Sequence, residues 1–106
     1  MTRLRLSPRR ESETIKIRSV RLDKTLHVTT GVFPGNGKLA EVFVSGAKIG
    51  SDMDGLLREW STLLSLALQY RMPLSDYAPN MQRNPDGSPQ TVFGEIIDAL
   101  VAEKSE

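Results

Sequence analysis

"VSGAKIGSDMDGLL", residues 44–57, is where the chain changes periodicity. Before it, apolar side chains recur at every second position, the pattern of a half-buried strand; after it they recur at spacings of three and four, the pattern of an amphipathic helix. Gly46 and Gly50 release the backbone between the two regimes, and Ser51 with Asp54 forms a capping-box-like pair at the helix start. A strand that passes this directly into a long helix implies a sheet with a helix laid over it.

Upstream, "LAEVFVSG" (39–46) places Ala40, Val42 and Val44 on one face and Glu41, Phe43 and Ser45 on the other. "PGNGK" (34–38) supplies the positive φ angles of a hairpin loop. In "TLHVTTGVF" (25–33), Leu26, Val28, Thr30 and Val32 oppose His27, Thr29 and Phe33, after a tight turn at Asp23-Lys24. Before that turn, Ile15 and Ile17 alternate with Lys16 and Arg18. The apolar phase then slips near Ser19 so that Val20 and Leu22 take over, which predicts a bulge or bend.

Downstream, residues 51–71 predict a helix with Met53, Leu56, Leu57, Trp60, Leu63, Leu64, Ala67 and Leu68 as its apolar stripe and an Asp54–Arg58 pair outside it. "RMPLSDY" ends it, because Met72 before Pro73 is biased away from helical angles, and Pro73 opens a short second helix. After the turn "NPDGSP" (84–89), "TVFGEIIDALVAEK" reads as a closing helix capped by Thr91, its stripe being Val92, Phe93, Ile96, Ile97, Leu100 and Val101. The predicted fold is α+β: an antiparallel meander of about three strands, then a long amphipathic helix and one or two shorter helices packed on one face. Residues 1–13 read as a basic flexible arm and 14–106 as the single domain.

Length and composition set the limits of function. A chain of 106 residues with 39% hydrophobic and 25% charged content is one ordinary globular domain. With no Cys, disulfides, thiolate catalysis and cysteine-rich metal sites are excluded, and a single His excludes a two-histidine ligand pair. No cofactor is expected. No apolar run reaches the roughly 18 residues of a membrane span, and the basic start lacks a signal peptide's apolar stretch, so a cytoplasmic protein with no membrane contact is expected.

The formal net charge of +1 conceals an asymmetry. Residues 1–24 hold eight bases against three acids, and residues 85–106 hold five acids against Lys104 alone. Arg3, Arg5, Arg9, Arg10, Lys16 and Arg18 are therefore candidate contacts for nucleic acid or an acidic partner. At the strand–helix junction, Lys48, Gly50 and Ser51 are the parts of an anion or nucleotide site on a helix N-terminus. Asp52 and Asp54 argue for the simpler alternative of a self-capped helix, since they would repel a phosphate.

Several of these stretches resemble one family. "VTTG" (28–31), "EVFVSGAKIGSD" (41–52), "LLSLALQYRMPL" (63–74) and, more loosely, "NPDGSPQTVFGEIIDAL" (84–100) resemble, in order and spacing, the TSCPD domain. That domain is found at the C-terminus of adenosylcobalamin-dependent ribonucleotide reductases and as small free-standing proteins of bacteria and phages. The resemblance covers roughly residues 12–101. It implies an accessory module, because the reductases keep cobalamin and radical chemistry in a separate barrel. Reductase-linked members also tend to carry cysteines near the junction and at the C-terminus, where this chain has none.

The remaining polar candidates divide between function and plain structure. His27 has no nucleophile near it in sequence and reads as a surface histidine. Trp60, in mid-stripe, reads as core. Ser61, Thr62 and Ser65 form a small, uncharged helix face suited to self-association. Three functions are carried forward. The first is a non-catalytic interaction or regulatory module that associates with a protein partner, such as a reductase, or with its own copy. The second is a nucleic-acid-binding regulator of a phage or mobile element, and the third a nucleotide-sensing domain. An enzyme is disfavoured, since no nucleophile, base or metal set is legible.

Overall fold

A computed structural model of the chain describes residues 2–6 and 12–104. Arg9 and Arg10, two of the candidate basic contacts, lie outside the described residues. The alternating segments become β1 (Ser12–Ser19), β2 (Lys24–Val32) and β3 (Leu39–Ser45), one antiparallel sheet in the order β1-β2-β3. Helix α1 (Asp52–Gln69) follows, then the single turn α2 (Leu74–Tyr77), a 3-10 turn (Ala78–Asn80) and α3 (Val92–Lys104). The α+β meander with helices read from the sequence is the observed architecture.

Register decides which residues share a face. Ile17 pairs with Leu26, Ile15 with Val28 and Val28 with Val44, so the apolar sets of the three strands coincide. Against them pack Leu57, Trp60, Leu64 and Leu68 of α1, Leu74 of α2, and Val92, Ile96, Ile97 and Leu100 of α3. Each such side chain contributes about 1.5–3 kcal/mol when fully buried. Thr91 caps α3 as expected, its Oγ1 accepting the Gly94 N–H at 3.0 Å.

The expected slip near Ser19 is a turn in the structure, in which Leu22 packs against the core as expected but Val20 does not. β1 keeps its phase to Ser19, and residues 20–23 form the turn, leaving Val20 82% exposed. Ser19 takes the core position beyond Ile17, and a polar residue is tolerated there because its hydroxyl donates to Glu95 of α3 at 2.6 Å and accepts the Leu22 N–H at 3.0 Å. The irregularity in the sheet lies instead between Gly31 and Val32 of β2.

α1 is also rotated relative to its apolar stripe. Leu56 and Leu63 are 43% and 68% exposed, while Ser61 and Gln69 are buried. The reason is the bare edge of β3. Ser65 Oγ accepts the Val42 N–H at 2.9 Å and donates to the Val42 carbonyl at 3.0 Å, and Gln69 Nε2 donates to the Ala40 carbonyl at 3.2 Å. Four helical residues rise about 6 Å and two strand residues about 6.6 Å, so every fourth residue of the helix meets every second residue of the strand. Ser61, one turn earlier, is buried in the same seam, though its hydroxyl has no partner among the described residues.

The start of the chain joins the same seam. The Leu4 N–H donates to the Gln69 carbonyl at 2.7 Å and Arg3 Nε donates to Gln69 Oε1 at 2.6 Å. Arg3 and Leu4, in the segment read from sequence as a basic flexible arm, are thus tied to the last turn of α1. Among the described residues, no helix is long and apolar enough to cross a membrane.

Candidate interaction surface

The helices cover one face of the sheet, and the side chains of opposite parity form the other. Cross-strand pairing arranges them in rows: Arg18 beside Thr25; Lys16, His27 and Ser45; Thr14, Thr29 and Phe43; and Glu41 beside Gly31 at the far end. Lys16, Arg18, His27 and Ser45 are exposed, and Phe43 is 48% exposed despite its size. Thr14 and Thr29 share a hydroxyl–hydroxyl hydrogen bond of 2.9 Å, and Arg18 pairs with Asp23 in the adjoining turn. Two cations, an imidazole, an aromatic ring and a line of hydroxyls therefore share one uncovered surface. The alternation in "LAEVFVSG" already put Phe43 opposite the core; the cross-strand register that sets it beside Thr29, on the same face as Lys16 two strands away, was not legible.

The other sequence-derived sites are placed differently. At the junction, Gly46 has φ +123°, and a Cβ there would lie 2.9 Å from the Thr25 carbonyl oxygen, so only glycine fits. Ser51 Oγ accepts the Asp54 N–H at 3.2 Å, and Asp54 Oδ2 accepts the Gly50 N–H at 3.1 Å. The Gly50 N–H holds the Asp54 carboxyl below its ordinary pKa, assisted by Arg58, whose Nε lies 3.3 Å from Oδ1. At Lys48, Gly50 and Ser51, the arrangement is that of the self-capped helix: a carboxylate of the protein itself receives the Gly50 N–H, and Lys48 is exposed.

Ser61 and Ser65 likewise face inward, on the β3 seam, and only Thr62 of that trio is exposed; Thr62 Oγ1 donates to the Arg58 carbonyl at 2.9 Å. Of the three candidates for self-association, Thr62 is therefore the one that is exposed. Arg3, bound to Gln69, is separated from Lys16 and Arg18, which lie on the open face, and Arg5 is exposed. Of the four candidate bases that are described, Arg3 and the pair Lys16 and Arg18 thus belong to different parts of the surface.

A second feature went unread in the sequence. Trp60 stacks on Phe93 with ring centroids 4.9 Å apart and planes 7° from parallel, and Trp60 Nε1 donates to the Tyr77 hydroxyl at 3.3 Å. Trp60 and Tyr77, with Leu63, Leu64, Ala67 and Met72, line an apolar groove of about 200 Å³. Among the described residues no three His, Asp or Glu side chains converge as a metal site would require.

The family model of the TSCPD domain matches residues 3–102. The chain belongs to the TSCPD domain family. The match takes in the whole sheet, the α1 seam and all but the end of α3, so the open face and the sealed edge both lie within the TSCPD domain. Comparison with curated proteins and with solved structures found no match.

Proposed function

We propose that this TSCPD domain is a non-catalytic interaction module that acts by protein association through the uncovered face of its sheet. The observation that supports the reading is the grouping of Phe43 with Lys16, Arg18 and His27 on a face that no described element covers. A half-exposed aromatic ring beside a row of hydroxyls, with two cations at the opposite edge of the same face, has the composition of an interface core and rim. Acid–base catalysis needs a positioned partner, and no described residue is hydrogen-bonded to the His27 imidazole. The partner class implied by the family resemblance is a ribonucleotide reductase or another nucleotide enzyme.

The test is the affinity of the full chain for the catalytic subunit of its host's reductase, measured by interferometry with wild type, Phe43→Ala and Lys16→Glu. Saturable binding weakened at least tenfold by Phe43→Ala supports the proposal. A second reading is favoured by the same ring: an aromatic among cations also suits single-stranded nucleic acid. No reductase binding, together with oligonucleotide binding that falls steeply with salt and needs Phe43, would replace the first reading with the second.

A further inference from the structure

The two edges of the sheet differ. That of β3 is sealed by Ser65 and Gln69, whereas β1 has β2 on one side and no described residue hydrogen-bonded along the other. Because antiparallel pairs alternate and Val42 turns its backbone groups away from β2, Ile15 and Ile17 bond to β2, and Thr14, Lys16 and Arg18 present their N–H and C=O groups outward. We propose that this edge docks one extended segment of a partner protein in which acidic and apolar residues alternate. The inference rests on the interaction-module reading and specifies the partner's chemistry.

An added strand continues both faces of a sheet. Its side chains on the open face stand beside Lys16 and Arg18, and those between stand beside Ile15 and Ile17, which are half-buried at this edge. Carboxylates suit the first set and apolar groups the second. Lys16 makes no ion pair among the described residues. Arg18 has only Asp23, and both are well exposed, at 58% and 91%, so that pair is readily exchanged.

The same charges select against the other occupants. Two copies of β1 pairing about Lys16 set Lys16 opposite its own copy, and pairing about Ile17 sets Lys16 opposite Arg18. Pairing about Ile15 leaves the cations of both copies on one continuous face. Like charges directly opposed are destabilising, and lysine on an edge is a common guard against self-pairing. Nucleic acid phosphates only accept hydrogen bonds and cannot satisfy outward carbonyls, which a peptide backbone does.

The probe is a fluorescein-labelled ten-residue peptide alternating glutamate and valine, titrated by anisotropy against the full chain. Controls are the same peptide with lysine for glutamate, one with a central proline, and oligothymidylate. Saturable binding is expected for the glutamate peptide alone, with slowed amide exchange at Thr14, Lys16 and Arg18 and at least tenfold weakening by Lys16→Glu. Lys16→Pro, which removes an outward N–H without touching the β1–β2 ladder, should abolish it; if that variant is unfolded by circular dichroism, Lys16→Glu decides. Absence of binding, equal binding of the lysine or proline peptide, preference for oligothymidylate, or protein dimerisation lost in Lys16→Pro would each overturn the proposal. The interaction-module reading survives any of these if reductase binding still depends on Phe43.

Discussion

Ser65 and Val42 are joined twice, the serine hydroxyl accepting the valine N–H at 2.9 Å and donating to its carbonyl at 3.0 Å, so that one helical side chain does for β3 what a fourth strand would do. Val42 is 3% exposed, so solvent is a poor substitute for either bond. Ser65→Ala is expected to lower stability by about 1–3 kcal/mol, the penalty for unpaired buried backbone groups, while Thr62→Ala one turn away changes it by less than about 0.5 kcal/mol. Urea denaturation of the two variants checks the contrast.

Glu95 fastens the other end of the sheet. Its carboxylate accepts the Ser19 hydroxyl at 2.6 Å and the Val20 N–H at 2.8 Å, tying the β1–β2 turn to α3. Glu95→Ala leaves both donors unmatched and should destabilise by about 1–3 kcal/mol, with faster amide exchange at Val20. Glu95→Gln keeps an acceptor oxygen and should lose less. An equal loss in the two variants would place the role of Glu95 in charge and not in acceptance.

Thr30 marks a site where the sequence can be improved. Its side chain is 2% exposed within the core face, and its hydroxyl has no protein partner among the described residues. Thr30→Val keeps the shape and removes the unmatched group, so stability should rise by about 1 kcal/mol. A fall in thermal midpoint would mean that the hydroxyl has a partner in solution.

Arg71, at φ 72°, ends α1 in the left-handed region, with the Met72 N–H reaching back to the Ala67 carbonyl at 3.1 Å. A side chain in that conformation costs about 1 kcal/mol relative to glycine. Arg71→Gly should therefore raise the melting temperature by about 4–8 °C. Calorimetry measures it directly.

Acid sensitivity has one clear source in Arg83 and Asp98, which form a two-bond pair at 2.6 and 2.7 Å. The bond from Arg83 holds the Asp98 carboxyl below the usual carboxylate range. A group whose folded pKa is depressed adds stability above its unfolded value of about 4 and loses it as pH falls through the lower folded value. Arg83→Ala should be less stable than wild type at neutral pH, and the gap should narrow between about pH 5 and pH 2. A gap that stays constant over that range would assign the loss to packing.

What the sequence disclosed follows from the range of the forces involved. Alternation in 39–46 and the three-and-four spacing after Met53 are local, and both elements formed as read. Ser51 and Asp54 are close in the chain, so their mutual capping was legible too. The phase error near Ser19 arose because the partner that lets a serine occupy a core position is Glu95, distant in sequence. The turned face of α1 was hidden for the same reason: Ser61 and Ser65, with Thr62, read as a neutral outer face until β3 lies beside the first two. Of the open face, the parity of Lys16, Arg18, His27 and Phe43 was readable strand by strand. Their convergence depends on cross-strand register, which a single sequence does not print.

The sealing of β3 by α1 also fixes how far this sheet can grow. Among the described residues β3 is sealed and β1 is not, so the proposed docking of a strand on β1 gives the molecule a valence of one along its hydrogen-bonding direction. Edge-to-edge assembly therefore stops after a single addition. The domain can end a sheet or complete one in another protein, but it cannot pass the ladder on.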